Sequence, residues 1–565
     1  MGRSADLTLE GVGYRYPRGE RDALREISTV FPGGGCSAVM GADGAGKSSL
    51  LKALTGIVPM LSGGQLRGRV RYGQADLAQH RVSTITEYIG LVLQDPASQV
   101  IGRTVAEDVT FGPRNHLVPR EEAERRGAEA LERVGLAGFE ARATAELSGG
   151  ELQRLAIAGV LALAPDVLCL DEATAELDPA GADQLWTVLD ELRNSGMGIV
   201  LAEGDPHGLL PRAEHLVVLD QGALAWQGSP TEFFAHPEQA AALGVRPAPM
   251  PQLAASLLAA SPGLRRPGRL PVSLQETADW LRETLGGRRP PSPATDRVAL
   301  PSVPAAIELE GLRFSYAGGP EVLHGIDLTI GAGEFVALLG ANGSGKTTLV
   351  KHLNGLLRPN AGRVRLLGRD TANSQIWQLA QLVGFVFQDP GHQLFCGTVA
   401  DEVGYGLRMA GRASDEIRRR VAEVLEFTGL SDVAGQNPLT LPRSRQQLVA
   451  MASTLVSRPQ VLVIDEPTTG QDWNGVQSLM SLVERLNAEG ATIVMISHDQ
   501  ELVAQYAHRA ITLSAGRVIA DGPAATQVTT EVTRLWAELF GAAMPPPRDA
   551  NEAGQLLAAA IREPR

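Results

Sequence analysis

Apolar and polar positions alternate from the start of the chain. LTLEGVGYRY, Leu7 to Tyr16, therefore reads as a strand with one covered face. The pattern then changes to short continuous apolar runs: CSAVM at Cys36 to Met40, VLCLDE at Val167 to Glu172, and GIVLA at Gly198 to Ala202. Runs of that length without a polar face suit strands buried on both sides. Between them the spacing turns helical, in SSLLKALTG closed by Gly56 and again near Gln184 to Asn194. Strand, helix and strand in that order give the crossover of a parallel sheet. Residues from about 95 to 146 read as helix-rich. There EEAERRGAEALERVG carries few apolar positions on a charged surface, which predicts an inserted helical subdomain.

The whole pattern is then repeated. Tyr16 recurs as Tyr316, Lys47 as Lys346, Gln94 as Gln388 and Glu172 as Glu466, at offsets of 300, 299, 294 and 294. From the glutamine onward, adding 294 carries any position of one half onto its partner. Each copy ends in a proline-marked turn and a short helix, after Leu243 and after Leu539. GRRPPSPATDRVALPSVP at Gly287 to Pro304 has no periodicity and five prolines, as expected of a semi-rigid connector. The expected organisation is a first domain over 5–286 with tail helices, a linker over 287–304, and a second domain with its tail over 305–565.

Composition narrows the function classes. With 44% hydrophobic and 20% charged residues over 565 positions, the chain is globular and too long for one core. A formal net charge of −13 argues against broad nucleic-acid binding, which needs a basic face. Cys36, Cys169 and Cys396 have no metal-ligand spacing, and Cys169 inside an apolar run reads as a buried thiol suited to a reducing cytoplasm. No leader pattern and no run of 18 or more apolar residues occurs, so any membrane role is expected to be peripheral.

The candidate chemistry lies in the loops between these elements. GADGAGKSS at Gly41 to Ser49 follows the CSAVM strand and matches the phosphate-loop pattern, glycine, four residues, then Gly-Lys-Ser. The second copy of the loop holds Gly340, Asn342, Gly343, Ser344, Gly345, Lys346, Thr347 and Thr348; the first holds Gly41, Asp43, Gly44, Ala45, Gly46, Lys47, Ser48 and Ser49. Lys47 and Lys346 would reach the outer phosphates of a nucleotide, and the Ser48 and Thr347 hydroxyls would serve magnesium. LSGGELQR at Leu147 to Arg154 adds Ser148, Gly149 and Gly150, a bare helix start that lets backbone amides approach an anion.

In this ordered set the chain resembles the ATP-binding-cassette (ABC) family. The resemblance implies an α/β fold with two tandem P-loop cassettes, each a mostly parallel sheet with an antiparallel β part and an inserted helical subdomain. It also implies ATP hydrolysis with Mg2+. Tyr16 and Tyr316 match the aromatic position that stacks on adenine, and Gln94 and Gln388 match the Q-loop that contacts metal or attacking water. Asp171 and Asp465 would hold the metal's water shell, and Glu172 and Glu466 would orient or deprotonate the nucleophilic water.

The two copies are not equal. The offset of 294 carries Leu147-Ser148-Gly149-Gly150-Glu151 onto Leu441-Pro442-Arg443-Ser444-Arg445, so the second signature has lost its hydroxyl and its bare backbone. In the other direction His498 falls on Gly204, so the first half lacks the switch histidine; His207, past Pro206 in a turn, reads as a surface residue. In this family the cassettes pair head to tail, each nucleotide lying between one phosphate loop and the opposite signature. With the two halves paired intramolecularly, Lys346, Thr347, Gln388, Asp465, Glu466 and His498 join the intact Ser148-Gly149-Gly150. Both defects fall in the other site, with Lys47, Ser48, Gln94, Asp171 and Glu172.

QDPASQVIGRTVAEDVTFGPRN and QDPGHQLFCGTVADEVGYGLR, after the two glutamines, are similar to energy-coupling-factor importers. That branch implies an integral-membrane transmitter subunit, a substrate-capture subunit for a vitamin or transition-metal ion, and a place on the cytoplasmic face of the membrane. By the same analogy Glu107, Asp108, Asp401 and Glu402 are candidate contacts for a basic coupling helix. Thr104 with Glu107 and Thr398 with Asp401 also have capping-box spacing, which accounts for one acid of each pair locally. The rival reading is a soluble tandem ATPase acting on the ribosome or DNA; the proline-rich linker and acidic balance weigh against it.

Overall fold

The computed structural model describes residues 5–175, 177–293, 304–542 and 544–562; ten positions of the expected linker, 294–303, lie outside them. Chain contacts divide it into two units, Met1–Ala248 and Pro249–Arg565. In the first unit a six-stranded sheet runs in the order Ala223–Gly228, His215–Asp220, Cys36–Met40, Gly198–Ala202, Val167–Asp171, Ile89–Val92. Pairing is parallel from His215–Asp220 through to Ile89–Val92, and the Ala223–Gly228 strand closes the edge antiparallel. All five residues of Cys36–Met40, Val167–Asp171 and Gly198–Ala202 are buried, which is why these runs lack polar alternation. Cys169 is fully covered in the strand Val167–Asp171, as expected.

A second sheet of four antiparallel strands, Leu24–Phe31, Leu7–Arg15, Gln65–Tyr72 and Ala75–Asp76, supplies the alternating segment read at the N-terminus. The second unit repeats both sheets, with Phe335–Leu339, Val461–Asp465 and Thr492–Ile496 as its central parallel strands. Between Ile89–Val92 and Val167–Asp171 the chain leaves the sheet for the helices Val105–Asn115, Arg120–Arg133 and Gly149–Leu161. Arg120–Arg133 buries only Ala123, Gly127, Ala130 and Leu131. A Cβ at Gly127 would stand 3.0 Å from Val109, so the sparse apolar stripe packs by close backbone approach instead of by side-chain bulk.

The first copy's tail does not stay with its own cassette. Pro249–Ala260 and Leu274–Leu285, which the sequence assigned to a first domain ending at 286, pack in the second unit against Glu531–Phe540 and Ala550–Arg562. The physical reason is a shared core: Met250, Leu253, Leu257 and Leu281 meet Leu535, Trp536, Ala553 and Leu557. The Ser256 hydroxyl donates to the Asn551 carbonyl at 3.0 Å, and Arg562 donates to the Ala260 carbonyl. Each tail helix alone is an apolar stripe without a partner, and the pair completes a small helical core. Leu557→Ala, at a fully covered position of that core, is expected to cost about 2–5 kcal/mol; chemical denaturation followed by tryptophan fluorescence measures it.

Candidate functional site

Each phosphate loop leaves the end of a buried central strand and enters a helix, Lys47–Leu54 or Lys346–Leu353. Gly41 and Gly340 both stand at φ 141, and a Cβ on either would lie 2.2 Å from a carbonyl, that of Leu219 or Leu513. Only glycine allows the chain to turn that close to the neighbouring strand. Gly46 and Gly345 cap the helices without a side-chain acceptor, so their first amides stay available to an anion. Lys47 Nζ donates to the carbonyls of Gly41 and Ala42 at 3.0 and 3.2 Å, and Lys346 Nζ to those of Gly340 and Ala341 at 2.6 and 3.1 Å. The lysines are thereby curled over their own loops. In the second loop the buried Ser344 hydroxyl has no hydrogen-bond partner. Bare amides, a curled lysine and a spare hydroxyl fit a nucleotide's phosphates.

The metal-directed residues meet at the same place. Ser48 donates to Asp171 Oδ1 at 3.1 Å, and Thr347 to Asp465 Oδ2 at 3.3 Å, oxygen pairs of the kind that hold magnesium beside substrate phosphate. Burial raises the carboxyl pKa of both aspartates. Tyr16 and Tyr316 reach back to the helices, their hydroxyls 3.0 Å from Ser49 and 3.1 Å from Thr348, each ring edge-on to an aromatic neighbour, Tyr14 or Phe314.

The two glutamates differ in what holds them. Both have left-handed backbones, φ 48 at Glu172 and φ 46 at Glu466, and both amides bond back to the adjacent strand, at Ala202 and Ile496. In the second unit His498 donates its amide to Glu466 Oε2 at 3.2 Å and sets Nε2 3.2 Å from Oε1, with Asn342 Oδ1 3.1 Å from the same nitrogen. Burial pushes the Glu466 carboxyl up to about 7, against the His498 amide, which lowers it. In the first unit Gly204 offers no side chain. Glu172 is engaged by Gln94 Nε2 at 2.7 Å and by Lys47 Nζ at 3.6 Å, and its pKa is raised by burial. Gln388, the partner of Gln94 in the repeat, is exposed. His207 faces Asp205 within its own turn, its amide 2.9 Å from the carboxylate.

The signature helices also diverge. Ser148 caps Gly149–Leu161 in a complete capping box, accepting from the Glu151 amide at 3.3 Å while Glu151 accepts from the Ser148 amide at 2.7 Å. A Cβ at Gly149 would meet nothing within 4 Å, so its backbone is bare, as read from sequence. Pro442 starts Arg443–Leu455 with no side-chain cap. Of the two arginines in that opening turn, Arg445 is bonded to Asp432 at 2.8 Å. The acids proposed for a partner helix are largely committed as well: Asp108 accepts from the amides of Ile101 and Gly102, and Glu402 from those of Phe395 and Cys396. Both are buried, and Glu107 and Asp401 serve the caps.

Sequence reasoning missed Glu203. It follows the Gly198–Ala202 strand, is 2% exposed, and accepts from the Thr174 amide at 3.3 Å and hydroxyl at 3.0 Å. Burial, then the nearby Glu172 charge, push it up to about 8, so at neutral pH it carries its proton. Its only trace in the sequence is an acid where the repeat has Ser497. Between the unfolded value, near 4.5, and about 8, the folded state binds the proton and the unfolded state does not. Stability therefore falls as pH rises through that window, by up to about 1.4 kcal/mol per pH unit. Glu203→Gln is expected to flatten that decline, as measured by melting temperature between pH 5.5 and 7.5.

Comparison with known proteins gives the family of the chain. The family model described as ABC transporter matches residues 24–175 and 323–469. A protein of Methanosarcina acetivorans provisionally named an ABC transporter ATP-binding protein is 35% identical over 571 residues, covering 100% of this chain and 92% of its own length. One of Caldanaerobacter subterraneus subsp. tengcongensis, with a name of the same kind, is 34% identical over 520 residues, 91% of this chain and 90% of its own. The solved structure of cbiO1 from Clostridium perfringens, titled part of the ABC transporter complex cbiONQ, is 35% identical, covering 42% of this chain and 96% of that one at a TM-score of 0.39. With the family model matched in both repeats and relatives aligned along the whole chain, this protein belongs to the ABC transporter family as an ATPase with two ATP-binding cassettes.

Proposed function

We propose that this chain is the ATP-hydrolysing subunit of an energy-coupling-factor type importer for a vitamin or transition-metal ion. It would work on the cytoplasmic face of the membrane, held there by a transmitter subunit that cooperates with a substrate-capture subunit. The observation that carries this reading is a pair of apolar surfaces placed alike in the two units, just past the glutamines. Ile101 is 65% and Phe111 44% exposed; 294 positions on, Phe395 is 63% and Tyr405 38% exposed. Phe395 and Tyr405 stack edge-to-face at 4.8 Å, and Met409 beside them is exposed. An ATPase working alone gains nothing from large apolar side chains in water at the same two places. With Asp108 and Glu402 spent on loop amides, docking at these surfaces is apolar contact more than charge pairing.

No described helix is long and apolar enough to cross a membrane. A complex recovered with a polytopic membrane protein only in detergent, and lost in Phe395→Asp with Ile101→Asp while ATP binding persists, is the expected result. Sedimentation with ribosomes or retention on DNA would instead support the soluble alternative.

Within that role one composite site hydrolyses and the other mainly holds nucleotide. The first joins Lys346, Thr347, Gln388, Asp465, Glu466 and His498 to Ser148-Gly149-Gly150; the second joins Lys47, Ser48, Gln94, Asp171 and Glu172 to the Pro442-Arg443-Ser444 segment. Magnesium, when bound, supplies charge neutralisation on the phosphates. Glu466, poised near neutrality, accepts the proton of the attacking water, and the His498 amide holds its Oε2 while the ring lies beside Oε1. Glu172 lacks that brace and already shares its oxygens with Lys47 and Gln94. Glu466→Gln is expected to remove most phosphate release, by about 10²-fold or more, and Glu172→Gln to leave most of it, measured on the purified complex. Equal losses would defeat the asymmetric reading.

A further inference from the structure

Every other buried acid near the nucleotide sites has a role in the loops already described, but Glu203 does not. It sits where the Gly198–Ala202 strand ends, between the strand that feeds the phosphate loop and the strand that ends in Asp171. Its amide donates to the Val39 carbonyl at 3.2 Å, and its carboxyl holds both donors of Thr174. Thr174 lies two residues past Glu172 in a tight turn. The Ala175 amide bonds back to the Glu172 carbonyl at 3.3 Å and the Leu177 amide to the Thr174 carbonyl at 3.1 Å. Pinning Thr174 therefore pins the turn that carries Glu172.

The second unit does this differently. Ser497 stands in the place of Glu203, and its hydroxyl accepts from the Asp499 amide at 3.0 Å within its own loop. There the brace on the glutamate comes from the next residue, His498. Each unit thus steadies its glutamate from the end of the same strand, directly through residue 498 in one and indirectly through residue 203 in the other.

We propose that Glu203 is a positioning residue of the first unit's nucleotide site: its carboxyl latches the Thr174 turn, fixes Glu172 against Lys47 and Gln94, and so slows exchange of the nucleotide held there. The inference rests on the reading that this site retains nucleotide without efficient cleavage. An acid at this spot is costly, because Glu172 and Asp205 add negative charge around it. The carboxyl offsets that cost by accepting from both the Thr174 amide and its hydroxyl. The groups facing it are Glu172 from the neighbouring strand end and Asp205 from its own loop; Lys47, on the phosphate-loop helix, faces Glu172. Since the latch works through hydrogen bonds and not through charge, an amide of the same shape serves as well.

The test uses the full chain carrying Lys346→Ala, so that labelled ATP with Mg2+ is confined to the first unit's phosphate loop. Release is followed in a chase with unlabelled ATP, well below the melting temperature of every variant. Added to that background, Glu203→Ala and Glu203→Ser are expected to release label about tenfold faster, the equivalent of losing one to two buried hydrogen bonds. Glu203→Gln is expected to hold it as the parent does. Unchanged release in Glu203→Ala from a parent that does retain label overturns the latch alone. Release as fast in Glu203→Gln as in Glu203→Ala overturns its hydrogen-bond basis. A Lys346→Ala parent that retains no label overturns the reading of the first site as a holding site, and the latch's part in exchange with it.

Discussion

Both cassettes depend on one arrangement: two adjacent carboxyl groups at the end of a strand buried on both faces, Asp171 with Glu172 and Asp465 with Glu466. Burial disfavours their charge, and each raised carboxyl pKa records that cost. What offsets it is the phosphate loop alongside, whose lysine and hydroxyl approach the acids only because Gly41 or Gly340 lets the chain turn against the next strand. The sheet order follows from that need. The strand feeding the loop and the strand ending in the acids flank a single strand between them, so residues far apart in sequence meet at one edge. The strand between them becomes the third contributor, through residue 498 in one unit and residue 203 in the other.

What the sequence revealed was whatever repeats or has a fixed spacing. Continuous apolar runs marked the parallel strands because both their faces are covered, and the phosphate loops followed from glycines that only one backbone path explains. The register of 294 located Pro442 at the place of Ser148 and Gly204 at the place of His498, both visible without coordinates. Residues whose partners are distant and unpatterned stayed hidden. Glu203 looks like any surface acid until Thr174 is folded over it, and Asp108 and Glu402 look available to a partner until the loop amides turn onto them. The tails misled in the same way, since an amphipathic helix names its apolar stripe but not what covers it. Here Pro249–Ala260 is covered by Ala550–Arg562, with Ser256 meeting Asn551 across 295 residues of chain.

The loss of the second signature did not cost the fold its helix, because Val449, Ala450, Met451, Ala452 and Leu455 still bury its inner face; a charge exchange accompanies it. In the first unit Arg142 donates to Glu151 in the opening turn of Gly149–Leu161, at 3.0 Å. In the second, the opening turn of Arg443–Leu455 carries Arg445, and Asp432 takes the opposite sign at 2.8 Å. Each bridge ties its helix start to the preceding loop, although serine and two glycines have become proline, arginine and serine. Proline at the N-cap keeps the backbone extended before the helix but removes the hydroxyl and an amide. Within that short segment the apolar flank holds the helix, with the bridge beside it, and the positions that changed are the ones at its bare tip. A segment built that way can lose the serine and glycines at its tip while its architecture persists, which is how one chain keeps two cassettes of the same fold with different helix starts.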